Sequence, residues 1–201
     1  MIILYHSPQS RSFRTLWLLE ELGLPYELKV VSIRRSDGTG QDAGPAYRDI
    51  HPHGKVPAIV HDAVTIFETA AIAAYLADLR PEAGLAPPIG DPLRGPYLTW
   101  LAYSSGVFEP AMICKYMKID HVFGAMGWAP ADEVEAVLDR AVASGPYLLG
   151  DRFSAADIVL GGSLSYMGRT GLMQPNPARD AYVERITGRD AYARAEKKDA
   201  G

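Results

Sequence analysis

The chain has 201 residues, of which 48% are hydrophobic and 22% are charged, and its net charge is −4. This composition is typical of a globular protein and excludes long disorder. The lysines and arginines are scattered, which excludes the basic stripe of a nucleic-acid footprint. The longest uncharged run, residues 95–108, is shorter than the roughly 20 apolar residues that span a bilayer. We therefore expect a cytoplasmic protein that binds neither nucleic acid nor membranes.

The first part of the chain alternates strand and helix patterns. An apolar run at residues 2–5 predicts a buried strand. Helical spacing of apolar residues begins at Ser10 and stops at Gly23, and residues 26–32 have the alternation of a second strand. Residues 34–44 are polar and glycine-rich, which predicts a loop.

A second group of elements follows this loop. Residues 56–60 and 63–67 predict a hairpin, and residues 68–79 predict a helix. The element order is therefore β-α-β, a loop, and β-β-α. Residues 81–92 hold four prolines and two glycines, so they form the best candidate for a linker.

Helical patterns alone continue beyond the linker. They cover residues 93 to about 124, 131–144 and 179–199, and residues 154–157 have the form of a capping box. We predict an α/β domain at residues 1–80, a linker at 81–92 and an all-helical domain at 93–201.

Three segments carry residues suited to binding an anionic peptide. The first is the turn at residues 7–12, between a strand and a helix, where free N–H groups and the positive helix end would stabilise a thiolate. A serine hydroxyl there could donate a hydrogen bond to it. The alternative is that Ser7 or Ser10 only caps the helix, which is common for serine.

The second segment is residues 51–57. Lys55 is suited to a ligand carboxylate, and the Val56–Pro57 bond is a candidate for the cis form. His51 and His53 have no third ligand nearby, so we expect no metal site. The third segment is Glu68-Thr69, a second anion site at a helix start, with a simple cap as its alternative.

These segments resemble the glutathione transferase family, and the resemblance covers nearly the whole chain. Residues 5–26 are similar to its first strand, active-site turn and first helix, and residues 52–59 to its cis-proline loop. Residues 67–76 resemble its glutamate–hydroxyl motif, and residues 147–158 its core-helix capping box. The resemblance implies a thioredoxin-like α/β domain that holds glutathione and an all-α domain that supplies an apolar pocket.

The family pattern also implies roles for single residues. The Val56 backbone, next to a cis Pro57, would pair with the cysteinyl part of glutathione. Glu68 and Thr69 would hold its γ-glutamyl end, and its glycyl carboxylate would lie against Lys55, with His53 beside it.

The residue that activates the thiol is not settled by the resemblance. Ser10 matches the catalytic serine of the plant phi class, with Ser12 and Ser7 as rivals. The cysteine of the bacterial beta class falls at Arg11, which disfavours mixed-disulfide chemistry. Tyr5 falls within the first strand, which disfavours the tyrosine-dependent classes.

An electrophile pocket is harder to place. An apolar and aromatic stripe follows the linker at rough helical spacing, although such stripes more often belong to a core; it consists of Tyr103, Phe108, Met112 and Tyr116, of which the first three are the candidates for the wall of the pocket. The expected function is conjugation of glutathione, as co-substrate, to small apolar electrophiles in detoxification, by a homodimer without metal. The alternatives are a non-catalytic glutathione-binding scaffold, or a glutathione-dependent peroxidase or dehalogenase on the same site.

Overall fold

The computed structural model describes residues 1–35 and 37–200. Its N-terminal part is a four-stranded sheet with helices, and the remainder is helical, as the sequence predicts. The strands are β1 (Ile2–His6), β2 (Tyr26–Val30), β3 (Ala58–His61) and β4 (Val64–Phe67). The helices are α1 (Ser12–Leu22), α2 (Pro45–Arg48), α3 (Thr69–Leu79), α4 (Arg94–Tyr103), α5 (Glu109–Met117), α6 (Ala131–Ala143), α7 (Gly162–Arg169), α8 (Pro177–Thr187) and α9 (Asp190–Asp199). No helix of the described residues is both long and apolar enough to cross a membrane.

The sheet has the order β2-β1-β3-β4. β1 and β2 are parallel and are joined through α1, whereas β3 pairs antiparallel with both β1 and β4. A β-α-β unit followed by a hairpin and a helix is the thioredoxin-like arrangement. Helix α1 ends at Gly23, which adopts the left-handed conformation (φ 59°) that glycine accepts without steric cost.

One hydrophobic core extends from the sheet into the helical part. Leu4 and Ile59 are core residues of the sheet. Trp17 of α1 makes edge-to-face contact with Tyr192 of α9, with 5.0 Å between the ring centroids. Salt bridges of Glu20 to Arg194 and Lys198 fix the same two helices at their surface. Helix α9 is therefore held firmly along α1.

The helix predicted from residue 93 to about 124 is shorter than expected and is not regular. A π-helical turn, Ser104–Phe108, joins α4 to α5 immediately before Pro110. A widened turn suits this position because proline supplies no N–H to the regular pattern. Helix α5 then ends at Met117, since Lys118 adopts a left-handed conformation (φ 56°).

Close packing at Gly161 gives a first testable prediction. A β-carbon added there would lie 2.2 Å from Ile186 Cδ1 and 3.1 Å from the Tyr182 hydroxyl, whereas one at Gly168 would meet nothing within 4 Å. Gly161→Ala should therefore lower the free energy of unfolding by about 1–3 kcal/mol in urea titrations. Gly168→Ala, the matched control in α7, should be neutral or stabilising by up to about 1 kcal/mol. Equal effects of the two variants would contradict the packing argument.

Candidate functional site

One edge of the sheet brings the three candidate segments together. Tyr5, next to the end of β1, pairs with Ala58 at the start of β3, and Ala58 also pairs with Phe67 at the end of β4. The turn after β1, the loop before β3 and the residues after β4 therefore leave the sheet at the same edge. Segments about 60 residues apart in sequence face a common space.

The turn after β1 is held by its own hydroxyl groups. Ser10 Oγ donates to the Ser7 carbonyl at 2.7 Å, accepts from the Ser12 N–H at 3.2 Å, and lies 2.8 Å from Ser12 Oγ. Ser10 thus acts partly as the cap that the alternative interpretation predicts. It is also partly exposed, and its second acceptor position is open to a ligand.

The two rival serines, Ser12 and Ser7, are buried and do not face the ligand-binding space. Ser12 is completely buried and bonds the buried His6, so a ligand cannot contact it directly. Ser7 is also buried, and its hydroxyl accepts from the Arg35 guanidinium at 3.2 Å. A direct catalytic contact by Ser12, one of the sequence-based candidates, is therefore wrong for this conformation, because the residue has no accessible surface.

The loop before β3 is held by hydrogen bonds from Tyr47 and within the loop itself. The Tyr47 hydroxyl donates to the Lys55 carbonyl at 2.7 Å, and the His53 N–H donates to His51 Nδ1 at 3.2 Å. The side chains of His53 and Lys55 remain exposed. The Val56–Pro57 bond is cis, in the form that the resemblance implies.

Glu68 and Thr69 close the third side of this space. Glu68 is exposed and has φ 72°, an uncommon conformation for a residue other than glycine, of a kind that clusters at functional sites. Neither residue makes a side-chain cap on α3, so the simple capping alternative is not observed. Burial lowers the pKa of His51, with Glu68 opposing this shift and His53 and Lys55 adding to it. The charges of these three candidates thus act on one buried imidazole ring.

An ion cluster joins the turn to the helical part. Glu109, at the start of α5, accepts from Arg11 Nε at 2.6 Å and lies 2.9 Å from Arg14 Nη1. Arg14 is buried and also donates to the Val159 carbonyl at 3.2 Å and to Ser163 Oγ. The two arginines lower the pKa of Glu109 although its burial has the opposite effect.

The predicted wall of the electrophile pocket is only partly available. Phe108 is 0% exposed and Met112 is 3% exposed, and both belong to the hydrophobic core. Their assignment to the pocket is therefore wrong for this structure, because helical spacing does not distinguish a core face from a ligand-facing one. Tyr103 is half-buried against Trp100. Ile113 and Tyr116, on the same face of α5 as Glu109, are exposed.

The described residues contain no group of three His, Cys, Asp or Glu side chains placed to hold a metal ion. Cys114 is a free, half-buried thiol on α5. It lies outside the turn that faces the candidate site.

Three residues near the turn were not found from the sequence. They are His6, the last residue of β1, Glu109, and Asp199 at the end of α9, whose carboxylate accepts from the Gln9 N–H at 3.1 Å. The position of His6 at the end of a strand, directly before the candidate turn, is a sequence signal that could have identified it. Asp199 lies 190 residues from Gln9 and gives no local signal.

Comparison with known proteins explains this arrangement. The family model "Glutathione S-transferase, N-terminal domain" matches residues 7–79, and "Glutathione S-transferase, C-terminal domain" matches residues 120–185. The chain belongs to the glutathione S-transferase family. It is accordingly a glutathione transferase enzyme with the thioredoxin-like and all-helical parts of that fold.

Individual family members are similar over most of the chain. Glutathione S-transferase 3 of Schizosaccharomyces pombe is 33% identical over 78% of this chain and 70% of its own length. A solved glutathione transferase of Methylococcus capsulatus has a TM-score of 0.80 at 29% identity, covering 100% and 99% of the two chains. A sphingomonad glutathione S-transferase complexed with glutathione has a TM-score of 0.78 at 30% identity, covering 98% of each. Other relatives are named a disulfide-bond oxidoreductase and a maleylacetoacetate isomerase, so the family alone does not specify the electrophile.

Proposed function

We propose that this enzyme conjugates the glutathione thiolate to small apolar electrophiles. The observation that carries the proposal is the sheet edge at which Ser10, the Val56–Pro57 bond and Glu68 converge. The space between them offers a partly exposed hydroxyl, a peptide edge and side chains of both charges. These are the groups that recognise a short peptide with an amine and two carboxylates.

Each end of glutathione has a complementary partner in this proposal. Glu68 binds the γ-glutamyl amine, while Thr69 and the free N–H groups at the start of α3 bind its carboxylate. The exposed Lys55, with His53 beside it, binds the glycyl carboxylate. The backbone of Val56 pairs with the cysteinyl residue between them, which directs the thiol toward the turn after β1.

The chemistry is nucleophilic attack by the bound thiolate. The Ser10 hydroxyl and the N-terminus of α1 stabilise the negative charge on sulfur, which then attacks an electrophilic carbon. The turn holds Arg11 where the beta class has cysteine, so the protein has no thiol of its own at this point. This favours conjugation over mixed-disulfide exchange.

The electrophile lies between the turn and α5. This side has partly or fully exposed apolar and aromatic surface from Tyr103, Ile113 and Tyr116.

Four further properties remain predictions of the sequence: homodimer formation, a cytoplasmic location, a role in detoxification and the division at residues 81–92. An elution volume that corresponds to the monomer mass would contradict the homodimer.

Ser10→Ala tests the mechanism. Loss of one hydrogen bond to a charged group, about 1.5–3 kcal/mol, should raise the pKa of the bound thiol by one to two units. The value of kcat/KM for chlorodinitrobenzene should fall about 10- to 100-fold at neutral pH. Both are measured from thiolate absorbance and conjugation rate against pH.

Ser7→Ala is the matched control, because it removes a buried hydroxyl of the same turn that faces Arg35. It should leave the pKa of the bound thiol unchanged. A pH profile unaltered in the Ser10 variant would remove Ser10 from the mechanism. Retention of the unmodified protein on immobilised glutathione without turnover of any electrophile would favour the scaffold alternative.

A further inference from the structure

A continuous chain of polar groups runs from Ser10 through the buried interior to the end of α9. Ser10 Oγ lies 2.8 Å from Ser12 Oγ, which lies 2.8 Å from His6 Nδ1. His6 Nε2 in turn lies 3.1 Å from Asp199 Oδ1, within ion-pair distance but without the alignment of a hydrogen bond. The chain thus has an exposed hydroxyl at one end and a carboxylate at the other.

The interior members of this chain are isolated from solvent. His6 and Ser12 are both 0% exposed, whereas the Asp199 side chain is 15% exposed. Asp199 is held in place by the Gln9 N–H, and α9 is fixed along α1 by the salt bridges of Glu20. The packing of α9 against α1 therefore places the Asp199 carboxylate next to His6.

The carboxylate determines which nitrogen of His6 carries the proton. Asp199 is the charged group that faces the imidazole, and it favours a proton on Nε2. Nδ1 is then an acceptor, so Ser12 donates to it. Ser12 Oγ then accepts from the Ser7 N–H at 3.1 Å, and it accepts from the Ser10 hydroxyl when that hydroxyl rotates from the Ser7 carbonyl, 2.7 Å away, to Ser12 Oγ, 2.8 Å away. With the Ser10 hydroxyl in this second position, every proton in the chain points away from the ligand-binding space and toward Asp199.

We propose that Ser12, His6 and Asp199 form a relay that removes the proton of the glutathione thiol through Ser10. The proposal rests on the proposed function, since it requires the thiol at Ser10. The S–H bond breaks as its proton moves to Ser10 Oγ, the Ser10 proton moves to Ser12 Oγ, and the Ser12 proton moves to His6 Nδ1. The electron pair of the S–H bond stays on sulfur, and the positive charge appears on the imidazole beside the Asp199 carboxylate.

This transfer leaves the chain in the arrangement that the next step needs. After it, His6 donates to Ser12, Ser12 donates to Ser10, and Ser10 donates to the sulfur. The same hydroxyl that accepted the thiol proton now stabilises the thiolate. The imidazolium loses its Nε2 proton to solvent past the partly exposed Asp199, which leaves the protein neutral at His6.

The three relay residues do not touch glutathione, so they are positioning residues that act through Ser10. Burial lowers the pKa of His6, while Asp199 raises it to a smaller extent. The lowered pKa favours the neutral form of His6, which is the form that can accept a proton. A purely structural histidine would also be neutral, and therefore the test must measure proton movement itself.

Asp199→Asn is the decisive variant, because it keeps the size of the side chain and an oxygen for the Gln9 N–H but removes the charge. Stopped-flow mixing with glutathione, below the pKa of the free thiol, measures the rate at which thiolate absorbance appears. We expect this rate to fall about tenfold or more, with the glutathione dissociation constant changed less than twofold. Imidazole added to the buffer should restore the rate, because a small base can replace the relay.

Glu196→Gln is the matched control, since it removes one exposed negative charge from the same helix without contact to the turn. Its rate of thiolate formation should equal that of the unmodified protein. An unchanged rate in Asp199→Asn, or a slow rate that imidazole does not restore, would overturn the relay. If the unmodified protein binds no glutathione or forms no thiolate, the proposed function itself fails, and the two failures are distinguished in this way.

Discussion

Replacement of Asp157 with asparagine is expected to lower the free energy of unfolding by about 3 kcal/mol or more. The carboxylate accepts four hydrogen bonds in the core, two at each oxygen. Oδ1 accepts from the Leu148 N–H at 2.8 Å and the Tyr182 hydroxyl at 3.0 Å, and Oδ2 accepts from the Ser154 N–H at 2.9 Å and its hydroxyl at 3.0 Å. In either orientation, the asparagine amide would place its NH₂ group against a backbone N–H that cannot reverse.

Asp151→Asn is the control for this variant, because Asp151 is an exposed aspartate six residues before Asp157. It should change the free energy of unfolding by less than about 0.5 kcal/mol. Urea titration followed by circular dichroism measures both variants. A loss below about 1 kcal/mol for Asp157→Asn would mean that water or a local shift satisfies the unpaired groups, and it would contradict a rigid arrangement of these four donors.

Glu109→Gln should have an effect of similar size, about 3 kcal/mol, for a different reason. The substitution leaves Arg14 buried without its counter-charge and with the second guanidinium, Arg11, nearby. Burial already lowers the pKa of Arg14, which shows how unfavourable the charge is at this position. Because α5 and α1 come from the two parts of the molecule, the loss should weaken their contact first.

Asp78→Asn provides the comparison, since it disrupts the bidentate pair with Arg94 at the surface, where both distances are 2.7 Å. Exposed pairs contribute about 0–1 kcal/mol, so this variant should remain close to the unmodified protein in urea titrations. Hydrogen exchange provides a second measurement, because amides at the start of α5 should lose protection in the Glu109 variant alone. Equal losses in the two variants would contradict the importance of burial.

Local sequence patterns were sufficient for most of the fold. Three elements lie within a few residues of their predicted bounds: the strand that ends at His6, the helix that stops at Gly23 and the hairpin around residue 62. Each depends on interactions between near neighbours, which periodicity and turn residues report directly.

Features that depend on tertiary contacts could not be predicted in this way. The helix after the linker ends at Met117 because Lys118 turns left-handed, which its identity does not indicate. The tail predicted as one helix is two, with Gly188 between them. The burial of Phe108 and the approach of Asp199 to the turn are set by packing between distant segments, and a single sequence contains no pairing information for them.

The π-helical turn at Ser104–Phe108 also affects how this chain is compared with others. A π turn is usually an α-helix that has gained one residue, and each residue of a regular helix rotates the next side chain by about 100°. A relative without that residue would direct a different side chain of α5 toward Arg11 and Arg14. An alignment that runs through this segment without a gap would therefore match Glu109 to a residue on another face, and substrate preferences transferred by such an alignment would be misassigned.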